Sequence, residues 1–456
     1  MPRPPPVTTI LSSVCIPRLR ARTSRALPGG SDVRRPCPCP IDVSTPTGPG
    51  RPTRQTPRPT PGGDTMNPRR RVLSGLAATG LAGLPAIGRA QSQDTLKIGL
   101  NVERTGVAAS YGGHMLIAAQ IALEELNAAG GVGGSKLEFV IEDNRSSPEQ
   151  AVIATRNLEK AGVLSMLGPI QSSQCRTAFP AANRASLVAI SPGSGAPGLT
   201  AQNRPWTFRN AAIDQFIIDE LVATLRKRYP NAKNVVALLE AKDAYTTFLV
   251  KTVAPPPLEK NGFTIVNKDA LIEIPAETTD YSVFVTRIKA LNPDLVLLGI
   301  QFESAARLLR EAQRQKLTVP MFAGLGYVTD SVADAAKDME VWAGQPFDPN
   351  AADAATQAFV KTFKAHVEKE LPGQYTTPTY IDAGAYETVR ILADAFKAAG
   401  ATPKSNPAEV RTKVRDYLAG LKSYQGLGNS LSINADGDAV KPTLLYRTGG
   451  GKWTKV

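Results

Sequence analysis

The residues best placed to do chemistry lie in Leu164-Ser-Met-Leu-Gly-Pro-Ile-Gln-Ser-Ser-Gln174, an apolar run that stops at Gly168-Pro169 and resumes as a hydroxyl-rich helix start. The pattern predicts a buried strand that delivers Ser172 and Ser173 to a helix N-terminus. Unpaired backbone N–H groups and a partial positive charge gather there, which suits a carboxylate. A serine in that place also caps its own helix, so both uses stand at this point. Nucleophilic use of a serine is poorly equipped. Gly193-Ser194-Gly195 lacks the spacing of a Gly-x-Ser-x-Gly elbow, and from Gln91 onward the bases are His114 and His366, neither near a serine loop in sequence. A serine hydrolase is therefore the weakest functional class, and the chain is expected not to be an enzyme.

Neither histidine belongs to a ligand-spaced cluster, so no metal site is expected. Gly130-Gly-Val-Gly-Gly134 follows a helical pattern and precedes a strand, the wrong order for a dinucleotide or phosphate loop, and no cofactor is expected. Cys15, Cys37 and Cys39 precede residue 90, which leaves Cys175 with no internal disulfide partner and reads as a small buried hydrophobe. A formal charge of +13, taken over the whole chain, is the kind of balance that favours a nucleic-acid partner. Residues 1–90, however, hold 14 of the 53 basic and 3 of the 40 acidic residues, leaving 39 against 37 in the rest. That near-neutral remainder removes the electrostatic case for nucleic acid.

The elements that must position these residues follow an alternating pattern. Leu96, Ile98 and Leu100 alternate as a strand, 115–126 reads as a largely apolar helix, and 137–141 as the next strand. A helix from Pro148 to about Lys160, a strand at 163–167, a helix at about 173–185 and a strand at 187–190 follow. After Trp206-Thr-Phe-Arg-Asn210 a second series begins: helix 215–228, strand 235–239, a helix from near Tyr245, strands at 263–266, 295–298 and 321–323, and helices at 282–291 and 303–315. Pro255-Pro-Pro257 is expected to end its helix early. Two such series predict an α/β protein of two doubly wound lobes. Helices at 351–370, 380–399 and 410–421 are expected to complete the first lobe, and a hairpin-like tail turning at Asn434-Ala-Asp-Gly437 to return to the second. The chain would then cross between lobes three times, which makes a hinge, with a ligand cleft between the lobes.

The expected division is 91–212 with 346–429 for the N-terminal lobe and 213–345 with 430–456 for the C-terminal lobe. Residues 1–65 are rich in Pro, Arg, Gly and Thr and show no period, as expected of a disordered segment upstream of a misassigned start. Residues 66–90 resemble a twin-arginine export signal, with Arg69-Arg70-Arg71-Val72-Leu73 before a short apolar stretch and cleavage expected near Ala90. A periplasmic location follows as the expectation.

Doubly wound sheets bind ligands outside the carboxyl ends of their strands. The loops that end there carry 103–112, Ser172 and Ser173, and 191–198 in the first series, and Asp243, Tyr245, 301–303 and Gly326-Tyr327 in the second. Hydroxyls gather on one side, aromatics and carboxylates on the other, which suits a small amphiphile with a carboxylate at one end.

Over residues 94–456 the chain resembles the branched-chain amino-acid-binding type of periplasmic binding protein, the solute receptor of an ABC importer. The matching stretches are Gly106 to Gly112, Gly130 to Gly134, Glu142-Asp143 with Pro148, Gly168 to Ser173, Ile190-Ser-Pro192, Leu199-Thr200, Phe208-Arg209, Asp280-Tyr-Ser282, Pro293-Asp294, and Asp436-Gly-Asp438 with Trp453. The resemblance implies that Ser173 and the backbone of Gly193 to Gly195 hold the ligand's carboxylate and amino group, and Ser172 is a candidate beside them from its place at the helix start. It implies that Tyr111 and Tyr245 cover the side chain; Tyr327 is a further candidate from its strand-end loop. Two departures stand out: Gly195 replaces a threonine, with Ser194 beside it as a substitute hydroxyl, and the carboxylate that receives the ligand's ammonium aligns nearest Ser304, one place from Glu303. Without Glu303 in the cleft, a plain carboxylic acid is favoured over an α-amino acid. The partners implied are a small amino acid or carboxylate and a membrane permease, with the receptor a monomer. A sensor subunit of a signalling system would share the same fold.

Overall fold

The computed structural model describes residues 95–456; the readings for residues 1–65 and for the export signal at 66–90 lie outside the described residues. The first strand, β1 (Leu96–Val102), is buried at every position but one, because helices cover both faces of its sheet. It is followed by α1 (Ala109–Ala128), β2 (Leu137–Asp143), α2 (Pro148–Lys160), β3 (Ser165–Leu167), α3 (Ser172–Arg184), β4 (Ala189–Ser191) and β5 (Thr207–Arg209). The strands pair in parallel in the order β2-β1-β3-β4-β5. The order reverses between β1 and β3, so their C-terminal ends open a crevice there.

The second series runs α4 (Asp214–Arg228), β6 (Asn234–Glu240), α5 (Ala244–Phe248), α6 (Pro255–Lys260), β7 (Thr264–Ile265), β8 (Ile272–Ile274), α7 (Ser282–Ala290), β9 (Leu295–Gly299), α8 (Phe302–Arg314), β10 (Met321–Phe322), α9 (Asp330–Ala336) and β11 (Val341–Gln345). Parallel pairing gives β7-β6-β9-β10-β11, with β8 also on β6, and the order reverses between β6 and β9. The three prolines do not end a helix here. A π-helical stretch, Leu249–Val253, carries α5 into Pro255, and Pro255 opens α6 at its first turn, where no proline N–H is needed.

The chain then returns to the first lobe through α10 (Ala354–Glu370), α11 (Tyr380–Ala398) and α12 (Pro407–Ala419), with α11 packed along α1. Helix α11 starts at a capping box: the Thr379 hydroxyl accepts from the Ile381 amide, and the Asp382 carboxylate accepts from the Thr379 amide at 2.7 Å. A small antiparallel sheet joins β12 (Tyr424–Gln425), β13 (Ser430–Ile433) and β14 (Ala439–Val440). The expected boundary at residue 430 thus falls inside this sheet. The last two strands, β15 (Leu444–Gly449) and β16 (Lys452–Lys455), add antiparallel to β11 in the second sheet. Among the described residues no helix is long and apolar enough to cross a membrane.

Candidate ligand-binding site

The site is built where the two switch points face each other. In the first lobe, Glu103 follows β1 directly, and its carboxylate accepts from the Ile170 and Gln171 amides, 3.1 to 3.3 Å away, in the loop that leads into α3. The side chain is fully buried, and that burial pushes its pKa up to about 7. The loop is thereby tied to the end of β1 by a buried carboxyl group. Beyond it, Ser172 lies at the first position of α3, and its Oγ accepts from the Ala196 amide at 3.2 Å. The N–H groups of the first turn of α3 have no intrahelical acceptors and stand beside the cavity.

The facing loop, Gly193 to Gly195, is held by a buried ion pair. Arg209, wholly enclosed, donates to the Asp438 carboxylate and to the carbonyls of Ser194 at 3.0 Å and Ala196 at 2.7 Å. Asp438 also accepts from the Thr200 hydroxyl, and the Arg209 amide donates to the Gly437 carbonyl at 2.9 Å. The hairpin after β13 therefore clamps the loop that lines the site. Gly195 has no room for a side chain: a Cβ would lie 2.6 Å from Asp214 Oδ2 and 2.9 Å from the Tyr245 ring. A larger residue at this position would displace Asp214 or Tyr245.

The cavity between these walls measures about 370 Å³, counting the part open to solvent. The first lobe contributes Ile170, Gln171, Ser172, Gly193 and Gly195, with Tyr111 from α1 and Tyr380 and Ile381 from the start of α11. The second contributes Tyr245, Gln301, Leu325 and Gly326. Tyr245 donates its hydroxyl to the Leu325 carbonyl at 3.3 Å, and Tyr380 donates to the Gly193 carbonyl at 2.8 Å. Tyr111 packs edge-on against Phe302 of α8, ring centres 4.7 Å apart. The lining holds no charged side chain.

Of the residues singled out in the sequence, Tyr111, Ser172, Gly193, Gly195 and Tyr245 come together around this cavity. Four do not. Ser173 turns to the second lobe, where its Oγ donates to Asp243 at 3.2 Å and accepts from the Ala244 amide at 3.0 Å, so it links the lobes. Ser194 offers the cavity no hydroxyl, because its buried side chain points back toward Cys175. Tyr327 is buried and donates its hydroxyl to the Leu298 and Ile300 carbonyls, within its own lobe. Glu303 is not on the solvated face of α8; it lines a neighbouring cavity with Glu240, its Oε1 buried and without a hydrogen-bond partner. Burial, then the nearby Glu240 charge, push its pKa up to about 8.

Asp214 was not anticipated either. It opens α4 from a buried position, accepts from the Leu325 amide at 3.0 Å through Oδ1, and leaves Oδ2 unpartnered behind Gly195 and Tyr245. Burial pushes its pKa up to about 6. Buried Cys175 donates to the Pro169 carbonyl at 3.3 Å, and burial pushes its thiol up to about 12, an unreactive setting. Among the described residues no group of three His, Cys, Asp or Glu side chains is arranged to hold a metal ion.

Residues 95–452 match the family described as periplasmic binding protein. The chain belongs to that family. Among relatives of this periplasmic binding protein, an "Amino acid binding protein" of Pseudomonas aeruginosa is 29% identical over 79% of the chain and 93% of the relative. In solved structures, the branched-chain amino acid transporter substrate-binding protein LivJ from Streptococcus pneumoniae, in complex with isoleucine, is 25% identical, with TM-score 0.66, over 79% of this chain and all of that one. A solute-binding protein of an ABC transporter from R. palustris, in complex with benzoate, has TM-score 0.68 at 19% identity over 79% of this chain and 95% of that one, a likeness of fold. The architecture is thus the type I periplasmic-binding-protein fold, two α/β lobes around a cleft.

Proposed function

We propose that the chain is the extracytoplasmic substrate-binding receptor of an ABC importer and that its ligand is a small organic acid with an aliphatic or aromatic body. Closure of the lobes 91–212 with 346–429 and 213–345 with 430–456 around that acid would present a surface to a membrane permease. The observation that carries this reading is the chemistry of the cavity wall. The start of α3, whose first-turn N–H groups lack intrahelical acceptors, lines the cavity through Ser172 beside Gly193 and Gly195, with Tyr111, Tyr245, Tyr380 and Leu325 as its apolar cover, and no carboxylate lines the space. Such a wall stabilises an anion through N–H donors and a helix terminus while giving an adjacent ammonium no partner. Asp214, whose Oδ2 has no hydrogen-bond partner, stands behind Gly195 and Tyr245.

No residue in this site is arranged as a nucleophile with a base: the Ser172 hydroxyl is engaged by the Ala196 amide, and His114 is stacked on Tyr375 at 3.7 Å, bonded to the carbonyls of Ser110 and Tyr375. The function is therefore read as binding without chemistry. A thermal-shift screen against aliphatic and aromatic acids and the amino acids of matched skeleton tests it. Stabilisation by acids supports the reading, and stabilisation by the amino acids alone removes it.

A further inference from the structure

Beside the first cavity lies a second, of about 680 Å³ counting the part open to solvent, lined by Glu240, Glu277, Glu303, Ser304 and Arg307. Tyr111, Gln171 and Gln301 line both, so three side chains form the partition. The second cavity gathers three glutamates against one arginine, and that arginine donates to the Thr278 carbonyl at 3.4 Å. Glu240 Oε2 is engaged by the Gln301 amide at 2.9 Å, whereas Glu303 Oε1 is enclosed with no partner. Asp243, which caps α5, adds its charge to Glu240 from the same side. Burying carboxylates without partners is costly, and either a proton or a cation relieves it.

We propose that the Glu240–Glu303 cavity is a subsite for the distal ammonium group of a ligand whose carboxylate sits at the start of α3. The inference rests on the acid-binding reading above and narrows it to acids that carry an amino group several bonds from the carboxylate. An α-ammonium cannot reach the second cavity while its carboxylate stays in the first, because those two charges lie side by side. A ligand with separated charges spans the partition, its apolar chain passing Tyr111 and its ammonium reaching Glu303. Arrival of the cation favours the ionised Glu303, so binding near neutral pH releases a proton.

Titration calorimetry with 6-aminohexanoate, hexanoate and hexylamine, on the wild type and on Glu303→Gln and Glu240→Gln variants, tests the subsite. The amino acid is expected to bind at least about tenfold more tightly than hexanoate, a gain of roughly 1.4 kcal/mol. The ratio of 6-aminohexanoate affinity to hexanoate affinity is expected to fall to about one in both variants. Measured in two buffers of different ionisation enthalpy, proton release is expected with 6-aminohexanoate and is lost in Glu303→Gln. Equal binding of hexanoate and 6-aminohexanoate overturns the subsite and leaves the acid-binding reading standing. Glutamate-dependent binding of hexylamine with none of hexanoate keeps the subsite and removes the carboxylate reading. Binding of none of the three overturns both.

Discussion

The two lobes use one device for different ends. Each places a glutamate at the C-terminal end of a switch-point strand, where it accepts backbone N–H groups ahead of the helix beyond: Glu103 takes the Ile170 and Gln171 amides before α3, and Glu240 takes the Gln301 amide before α8. Glu103 is sealed, and its neighbours in the wall, Ser172 and the Gly193 loop, are occupied by internal partners. Glu240 instead opens on a cavity where Glu303 has a free oxygen. The first wall is thus preorganised by satisfied polar groups, and the second keeps carboxylates that still call for a proton or a cation. Affinity should reside mainly in the first and discrimination in the second.

Breaking the first wall should have the largest effect. Arg209→Ala strands the Asp438 charge and frees the carbonyls of Ser194 and Ala196, so urea unfolding should show a loss of about 3–5 kcal/mol. Glu103→Ala leaves two buried amides without acceptors, at about 1–3 kcal/mol each. The same change at Glu240 strands the Gln301 amide alone and should cost less in the same unfolding assay.

A smaller, sharper contrast separates the adjacent serines. Ser172→Ala removes the acceptor of a buried amide at the cavity wall and should weaken binding by roughly 1–3 kcal/mol. Ser173→Ala loosens the link to Asp243 and Ala244 and should cost about 0.5–1.5 kcal/mol, with the order of preference among ligands unchanged in calorimetry. The mildest probe is pH. Glu103, Asp214 and Glu303 have folded pKa values raised to about 7, 6 and 8, so the folded state binds more protons than the unfolded chain. Their contribution to stability is fully present below the ordinary carboxylate range and is lost as pH rises toward about 8, readable as a declining urea midpoint between about pH 6 and 8 for the unliganded protein.

What the sequence made legible was local. Alternating βα periodicity, the serine loop after β3 and the tyrosines at helix starts are all written in runs of neighbouring residues. What it hid depends on partners far along the chain. Tyr380 and Ile381 reach the cavity because α11 returns to pack on α1, a contact with no local signature. Ser173 and Ser172 are adjacent, yet helical geometry turns one across the cleft and the other to the Ala196 amide. Tyr327 sits on a strand-end loop like a ligand residue, but the carbonyls of Leu298 and Ile300 draw its hydroxyl inward. The strand β11 hides in Trp342-Ala-Gly-Gln, which is too short and too rich in small residues to announce itself until β10 and β15 flank it.

The most direct measurement compares 4-methylpentanoate with L-leucine, which share a carbon skeleton and differ by the α-ammonium, in titrations of the same protein. A cavity with N–H donors and no lining carboxylate predicts that the acid binds at least about tenfold more tightly. Tighter binding of leucine would contradict the account, because an acidic partner for its ammonium would then have to reach a wall where the structure places Leu325 and Gly326.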